Sequence, residues 1–129
     1  MIIDTSAIIA ILTAEPEKDA FDSTVAANPS RLSSLTYLEA SIVLCAKRGD
    51  GALSGLDMWI ETSGVEVVPF TIEHARIARE AWLQFGKGRH DARLNFGDCV
   101  TYALASSTGE PLLYKGDDFA RTDIESAIS

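Results

Sequence analysis

Met1-Ile2-Ile3-Asp4-Thr5-Ser6 is the stretch that decides how this chain is read. Apolar residues run straight into an acid and two hydroxyls, and a helical pattern over residues 7–14 follows. The reading is a buried strand that ends in a carboxylate at the mouth of a helix. In open parallel α/β sheets ligands bind outside the carboxyl ends of the strands. Asp4 is therefore a candidate site residue, and what else reaches it becomes the question.

The bulk properties narrow the class. A chain of 129 residues with 47% hydrophobic content is one domain with a single substantial core. The formal charge of −8, from 11 basic and 19 acidic side chains, argues against generic attraction to nucleic acid or anionic membrane. It leaves room for a nucleic-acid enzyme, because carboxylates gathered around a cation count as negative until the cation is included. Cys45 and Cys99 are too few and too far apart for a disulfide framework or a zinc site. They are expected as reduced thiols in a cytoplasmic protein. The apolar start carries Asp4 and no basic segment, unlike a signal peptide, and the apolar run at residues 7–12 is far short of a membrane span.

Strands and helices alternate along the chain. Strands are expected at residues 1–4, 31–34, 65–70 and 111–114, with helices at 5–14, 16–27, 36–47, 53–63, 71–85 and 95–107. Pro16, Pro29, Gly49, Gly64 and Gly109 punctuate them as helix starts and stops do. Residues 86–94 read as a charged loop, 115–119 as a turn, and the tail as a short C-terminal helix. Repeated strand–helix alternation implies a mostly parallel sheet covered on both faces.

Three acids have comparable positions. Asp4 closes the first strand, Glu39 lies three residues after Thr36, and Asp98 lies three residues after Asn95. Singly, each is a helix-start signature: Thr36-x-x-Glu39 and Asn95-x-x-Asp98 fit capping boxes, and first-turn acids suit the helix dipole. Jointly they mean more, because helix starts that follow strands of one parallel sheet share a rim. Asp117 and Asp118 follow the last strand to the same edge. Carboxylates crowded there repel strongly, and oxygen ligands with few His or Cys suit Mg²⁺ or Mn²⁺. Such an ion polarises a phosphate oxygen, activates water and stabilises the departing oxygen, which is phosphodiester hydrolysis. His74 and His90 are the two histidines, and neither forms a nucleophilic triad pattern. Lys87, Arg89 and Arg93, in the loop before Asn95, read either as a solvated surface or as contacts to RNA backbone phosphates.

The segments Met1–Ala7, Tyr37-Leu38-Glu39, Asn95-Phe96-Gly97-Asp98-Cys99 and Leu112-Leu113-Tyr114-Lys115-Gly116-Asp117-Asp118-Phe119 together resemble the PIN-domain ribonucleases. More narrowly they resemble VapC toxins of type II toxin–antitoxin systems. The resemblance runs end to end and rests on motifs in the right order. It implies a three-layer α/β/α sandwich and a Mg²⁺-dependent endoribonuclease, with Asp4, Glu39 and Asp98 as acidic catalytic and metal positions. Many relatives carry an acid where Gly116 stands here, so the fourth carboxylate falls to Asp117 at the rim, with Asp118 as the alternative. Thr5 and Ser6 match hydroxyls that orient Asp4 or bound water. A VapB-like antitoxin and a homodimer are implied too, with Met58, Trp59 and Trp82 as candidate anchors.

Three other readings compete. A phosphoacceptor receiver domain wants an acidic pair after the first strand, but Thr5 and Ser6 follow Asp4; a dehalogenase-type phosphatase wants Asp-x-Asp, and Ser6 fills the second place. A catalytically silent PIN-fold binding module is opposed by the presence of Asp4, Glu39 and Asp98.

Overall fold

The computed structural model describes residues 1–128. Strands β1 (Ile2–Ile3), β2 (Arg31–Ser33), β3 (Glu66–Val68) and β4 (Leu112–Leu113) form one sheet. Its order is β3-β2-β1-β4, with every pairing parallel. Helices α1 (Thr5–Leu12), α2 (Lys18–Ala27), α3 (Ser34–Arg48), α4 (Leu53–Ser63), α5 (Ile72–Phe85) and α6 (Phe96–Thr108) fill the connections. A short 3₁₀ turn at Asp50–Ala52 leads into α4.

Strands β1, β2 and β4 are almost wholly interior, whereas β3 at the sheet edge is largely exposed. Neighbouring residues of a strand face opposite sides, and the core divides accordingly. Ile3 and Leu113 join the cluster formed with α1–α4, whereas Ile2 and Leu112 join the one formed with α5 and α6. The three-layer α/β/α arrangement expected from the alternation is therefore the observed one. The chain moves outward from β1 to β2 to β3, then crosses back to place β4 on the other side of β1. The direction of winding reverses between β1 and β4, and Asp4 stands at that point.

Several boundaries differ from expectation. α1 stops at Leu12, since Ala14 adopts a left-handed φ of 55°. α2 starts at Lys18 because Pro16 and Glu17 are spent in a turn. α3 begins two residues early, at Ser34, where Ser33 Oγ accepts the Leu35 N–H at 3.2 Å.

The expected C-terminal helix is absent. Ala120 N–H donates to Asp117 O and Thr122 N–H to Phe119 O, both at 3.1 Å, so the backbone closes tight i→i+3 turns. The tail then lies along β4: Leu112 N–H donates to Glu125 O and Ala127 N–H to Leu112 O, each at 2.9 Å. An open sheet edge offers unpaired backbone groups, and pairing with it outcompetes one or two helical turns.

Phe119 is fully buried in the α5–α6 cluster and pins the preceding turn, Lys115–Asp118, to the sheet. Phe119→Ala should cost about 3–5 kcal/mol, read from the midpoint of a urea transition.

Candidate active site

Asp4 is buried and hydrogen-bonded through both oxygens. Oδ2 accepts the Ser6 N–H at 3.0 Å and the Ser6 hydroxyl at 2.6 Å, and Oδ1 accepts the Thr101 hydroxyl at 2.7 Å. Asp4 thus does cap α1, as a helix-start acid should. Ser6 Oγ in turn accepts the Lys115 N–H at 2.9 Å, tying the end of β4 to the end of β1.

Asp98 is also buried and also caps. Its Oδ2 accepts the Asn95 N–H at 3.0 Å, and Asn95 Oδ1 accepts the Asp98 N–H at 2.9 Å, a complete capping box. Glu39 is different. The cap of α3 is Ser33, which leaves Thr36 and Glu39 inside the helix, so the Thr36-x-x-Glu39 box does not form. Glu39 is instead half-buried, and Thr5 donates its hydroxyl to Oε1. Its carboxylate lies directly on Gly97, where a Cβ would come within 2.1 Å of Oε2. Gly97 is therefore required by close approach, beside Asp98.

The electrostatics bind these groups together. Burial pushes Asp98 up to about 7; the Asn95 backbone bond opposes this, and the charges of Asp4, Asp118 and Glu39 add to it. Burial likewise raises Asp4, against the lowering effect of the Ser6 and Thr101 hydroxyls and the backbone N–H groups. Burial and the charge of Asp98 raise the neighbouring Cys99 thiol to about 11, which keeps it protonated.

The tail acids were expected with Asp117 at the rim and Asp118 as the alternative. Both are exposed, and Asp118 is the one whose charge raises Asp98. Asp117 and Asp118 line a depression of about 320 Å³ with Asp91, Arg93 and Arg121.

The basic loop does not act as one unit. Arg93 stands beside the tail acids, in a left-handed conformation with φ 56°. Arg89 folds back: its guanidinium lies 5.0 Å above the Trp82 ring, and Nε donates to Leu83 O at 3.1 Å. Lys87 is exposed, with its backbone N–H bonded to Leu94 O. His74 completes a capping box with Thr71 at the start of α5.

Thr101, Gly97 and Arg121 were missed by the sequence reading. Thr101 had a signal, since it follows Asp98 by three residues and so shares its helix face. Arg121 carried none, because the tail was expected as a helix.

No three of the described His, Cys, Asp or Glu side chains are close enough to enclose an ion by themselves. Mg²⁺ keeps several waters and takes one or two carboxylates directly, so it does not require such an enclosure. The all-oxygen donors, among them two buried carboxylates with raised proton affinity, fit a hard cation.

The family profile described as PIN domain matches residues 1–125. The ribonuclease VapC30 of Mycobacterium tuberculosis is 45% identical over 125 residues, covering 96% of this chain and 95% of the relative. Among solved structures, Mycobacterium tuberculosis VapC20, a sarcin–ricin-loop-cleaving toxin, superposes with a TM-score of 0.77 at 21% identity, covering 95% of each chain. A toxin–antitoxin complex from Klebsiella pneumoniae gives 0.68 at 15% identity, covering 95% of this chain and 92% of that one.

Because folding raises the affinity of Asp98 for its proton, the folded chain holds more protons than the unfolded one between pH 3.8 and about 7. Stability should therefore fall as pH rises through that window. Glu15, held by a hydrogen bond from Lys115, is lowered, and its contribution is lost only on acidifying below its ordinary value of 4.5. In chelator, wild type should lose about 2–3 kcal/mol between pH ~5 and ~8. Asp98→Asn should make that slope shallower, leaving the part due to Asp4, and should unfold at higher temperature than wild type at the upper end. Parallel melting curves for the two proteins would refute this.

Proposed function

The chain belongs to the PIN-domain family and within it to the VapC ribonucleases, and from that premise we propose that it is a Mg²⁺-dependent endoribonuclease, the toxin of a type II toxin–antitoxin pair. The observation that carries the reading is the convergence of buried Asp4 and Asp98 with Glu39 at the switch point of the sheet. Mn²⁺ fits the same donors.

Asp4 and Asp98 would hold the ion, with Glu39, held by Thr5, beside them. Asp118 is the better-supported fourth acid, given its reach to Asp98, with Asp117 behind it. A bound divalent cation supplies Lewis acidity toward the phosphoryl oxygen, the attacking water and the departing oxygen. The chain itself supplies positioning. Arg93 and Arg121, beside the tail acids, are the candidates for contacts to RNA backbone phosphates. Lys87 is free to add to this track. Arg89, stacked on Trp82, is less well placed.

A VapB-like antitoxin and a second copy of the chain are the proposed protein partners. Exposed Phe96 stands between two apolar grooves of about 400 and 370 Å³, one against α5 and one against α3. Contiguous exposed apolar surface of this kind marks interaction sites. Trp59 packs against the core, which leaves Met58 and Trp82 as the exposed members of the expected anchors. No helix among the described residues is long and apolar enough to cross a membrane, and a cytoplasmic location is proposed.

A Mg²⁺ titration of RNA cleavage tests the reading. Asp4→Asn and Asp98→Asn should each lower the rate at least about 100-fold, the scale of removing a group that acts on charge in the transition state. Asp118→Asn should cost more than Asp117→Asn. Cleavage that survives both chelator and Asp98→Asn would sink the metal-centred mechanism. Gly97→Ala offers a separate check: it should fold normally yet lose about tenfold or more in rate, because the new methyl displaces Glu39.

A further inference from the structure

Thr101 is almost wholly buried in the middle of α6, and so is Thr36 in the first turn of α3. Their hydroxyl oxygens lie 3.5 Å apart, and Thr101 Oγ1 lies 2.7 Å from Asp4 Oδ1. The proton assignments follow from what each group has to give. An ionised carboxylate only accepts, and a hydroxyl has one proton. With a cation at the rim and Asp4 ionised, Thr101 donates to Asp4 and can only accept from Thr36, so the chain then runs Thr36 to Thr101 to Asp4.

A carboxylate offers about four acceptor positions, two on each oxygen. On Asp4, the Ser6 N–H and Ser6 hydroxyl take both on Oδ2, and Thr101 takes one on Oδ1. Oδ1 is therefore the less committed of the two oxygens. We propose that Thr101, steadied by Thr36, is a positioning residue that fixes Asp4 so that Oδ1, the less committed oxygen, is the one left to meet the cation.

The inference rests on the metal reading above and adds to it a named atom and a hydroxyl relay reaching through the core. Outer partners of metal ligands orient them, and losing one typically weakens binding 10–100-fold. The relay also explains a polar residue at this point of α6. Thr101 is flanked by buried Val100 and Tyr102, where an apolar residue would serve packing alone.

The test is Mn²⁺ binding to the purified full chain without RNA, followed by titration calorimetry. Thr101→Val keeps the shape and removes the donor, and it should bind Mn²⁺ about tenfold more weakly. Thr101→Ser restores the donor and should stay within about twofold of wild type. Thr36→Val breaks only the outer link and should give a smaller loss, about threefold. Should Thr101→Val not fold, Thr101→Cys, a small side chain with a weak donor, should fall between the Ser variant and a tenfold loss. Wild-type affinity in the Val variant, or in the Cys variant where it replaces it, overturns the proposal and leaves the metal reading standing. A wild-type protein that takes up no Mn²⁺ overturns both. Circular dichroism on each variant separates a lost ligand position from a lost fold.

Discussion

Two carboxylates, Asp4 and Asp98, are buried at the end of one strand, and much of the molecule follows from placing them there. Removing a charge from water is expensive unless it is hydrogen-bonded or paired. Here the compensation is mostly hydroxyl and backbone donors. Ser6 and Thr101 serve Asp4, Asn95 serves Asp98, and Thr5 serves neighbouring Glu39. Those donors come from both ends of the sequence. Only a sheet whose winding reverses beside β1 brings β4 and α6 to the same rim as α1 and α3.

The rim is tied together as well as crowded. Ser6 Oγ joins Asp4 to the backbone of Lys115, and the Lys115 ammonium reaches Glu15 and Glu17 after α1. Phe119 is buried just past the tail acids, and Tyr102 donates to Asp123 at 2.6 Å. The exposed acids Asp117 and Asp118 thus sit on a turn anchored on both sides. Preorganisation of this kind matters because misplacing a group by about 1 Å can cost on the order of 100-fold in rate.

Much of this was legible in the sequence, and the failures have physical causes. The alternation of strands and helices, the strand-end position of Asp4 and the cap at Asn95 all depend on local patterns, and they appear where expected. Thr36 was misjudged because Ser33 competes for the same helix start, and Ser33 wins by standing at the end of β2. Thr101 was missed because its partner lies 97 residues away, and its place on the Asp98 face of the helix was the one local signal. Arg89 looked like a phosphate contact from its charged neighbours, but Trp82, one turn before the end of α5, captures it. The tail depended on a sheet edge that no local pattern reveals.

Capping and metal binding were weighed as rival explanations of the acids, and the geometry makes them compatible. Asp4 and Asp98 each cap through Oδ2, so neither cap occupies Oδ1. Magnitudes then decide what capping can achieve. A helix terminus contributes typically about 0.3–1 kcal/mol to a nearby charge, and about 2 at best. Asp98 is held near 7 although its cap is already in place, a displacement from 3.8 worth on the order of 4 kcal/mol. Helix ends and caps are therefore too weak to keep this pair of carboxylates ionised at neutral pH. A further positive charge at the rim would let both carry their charge together, and a divalent cation there is what the proposed activity calls for.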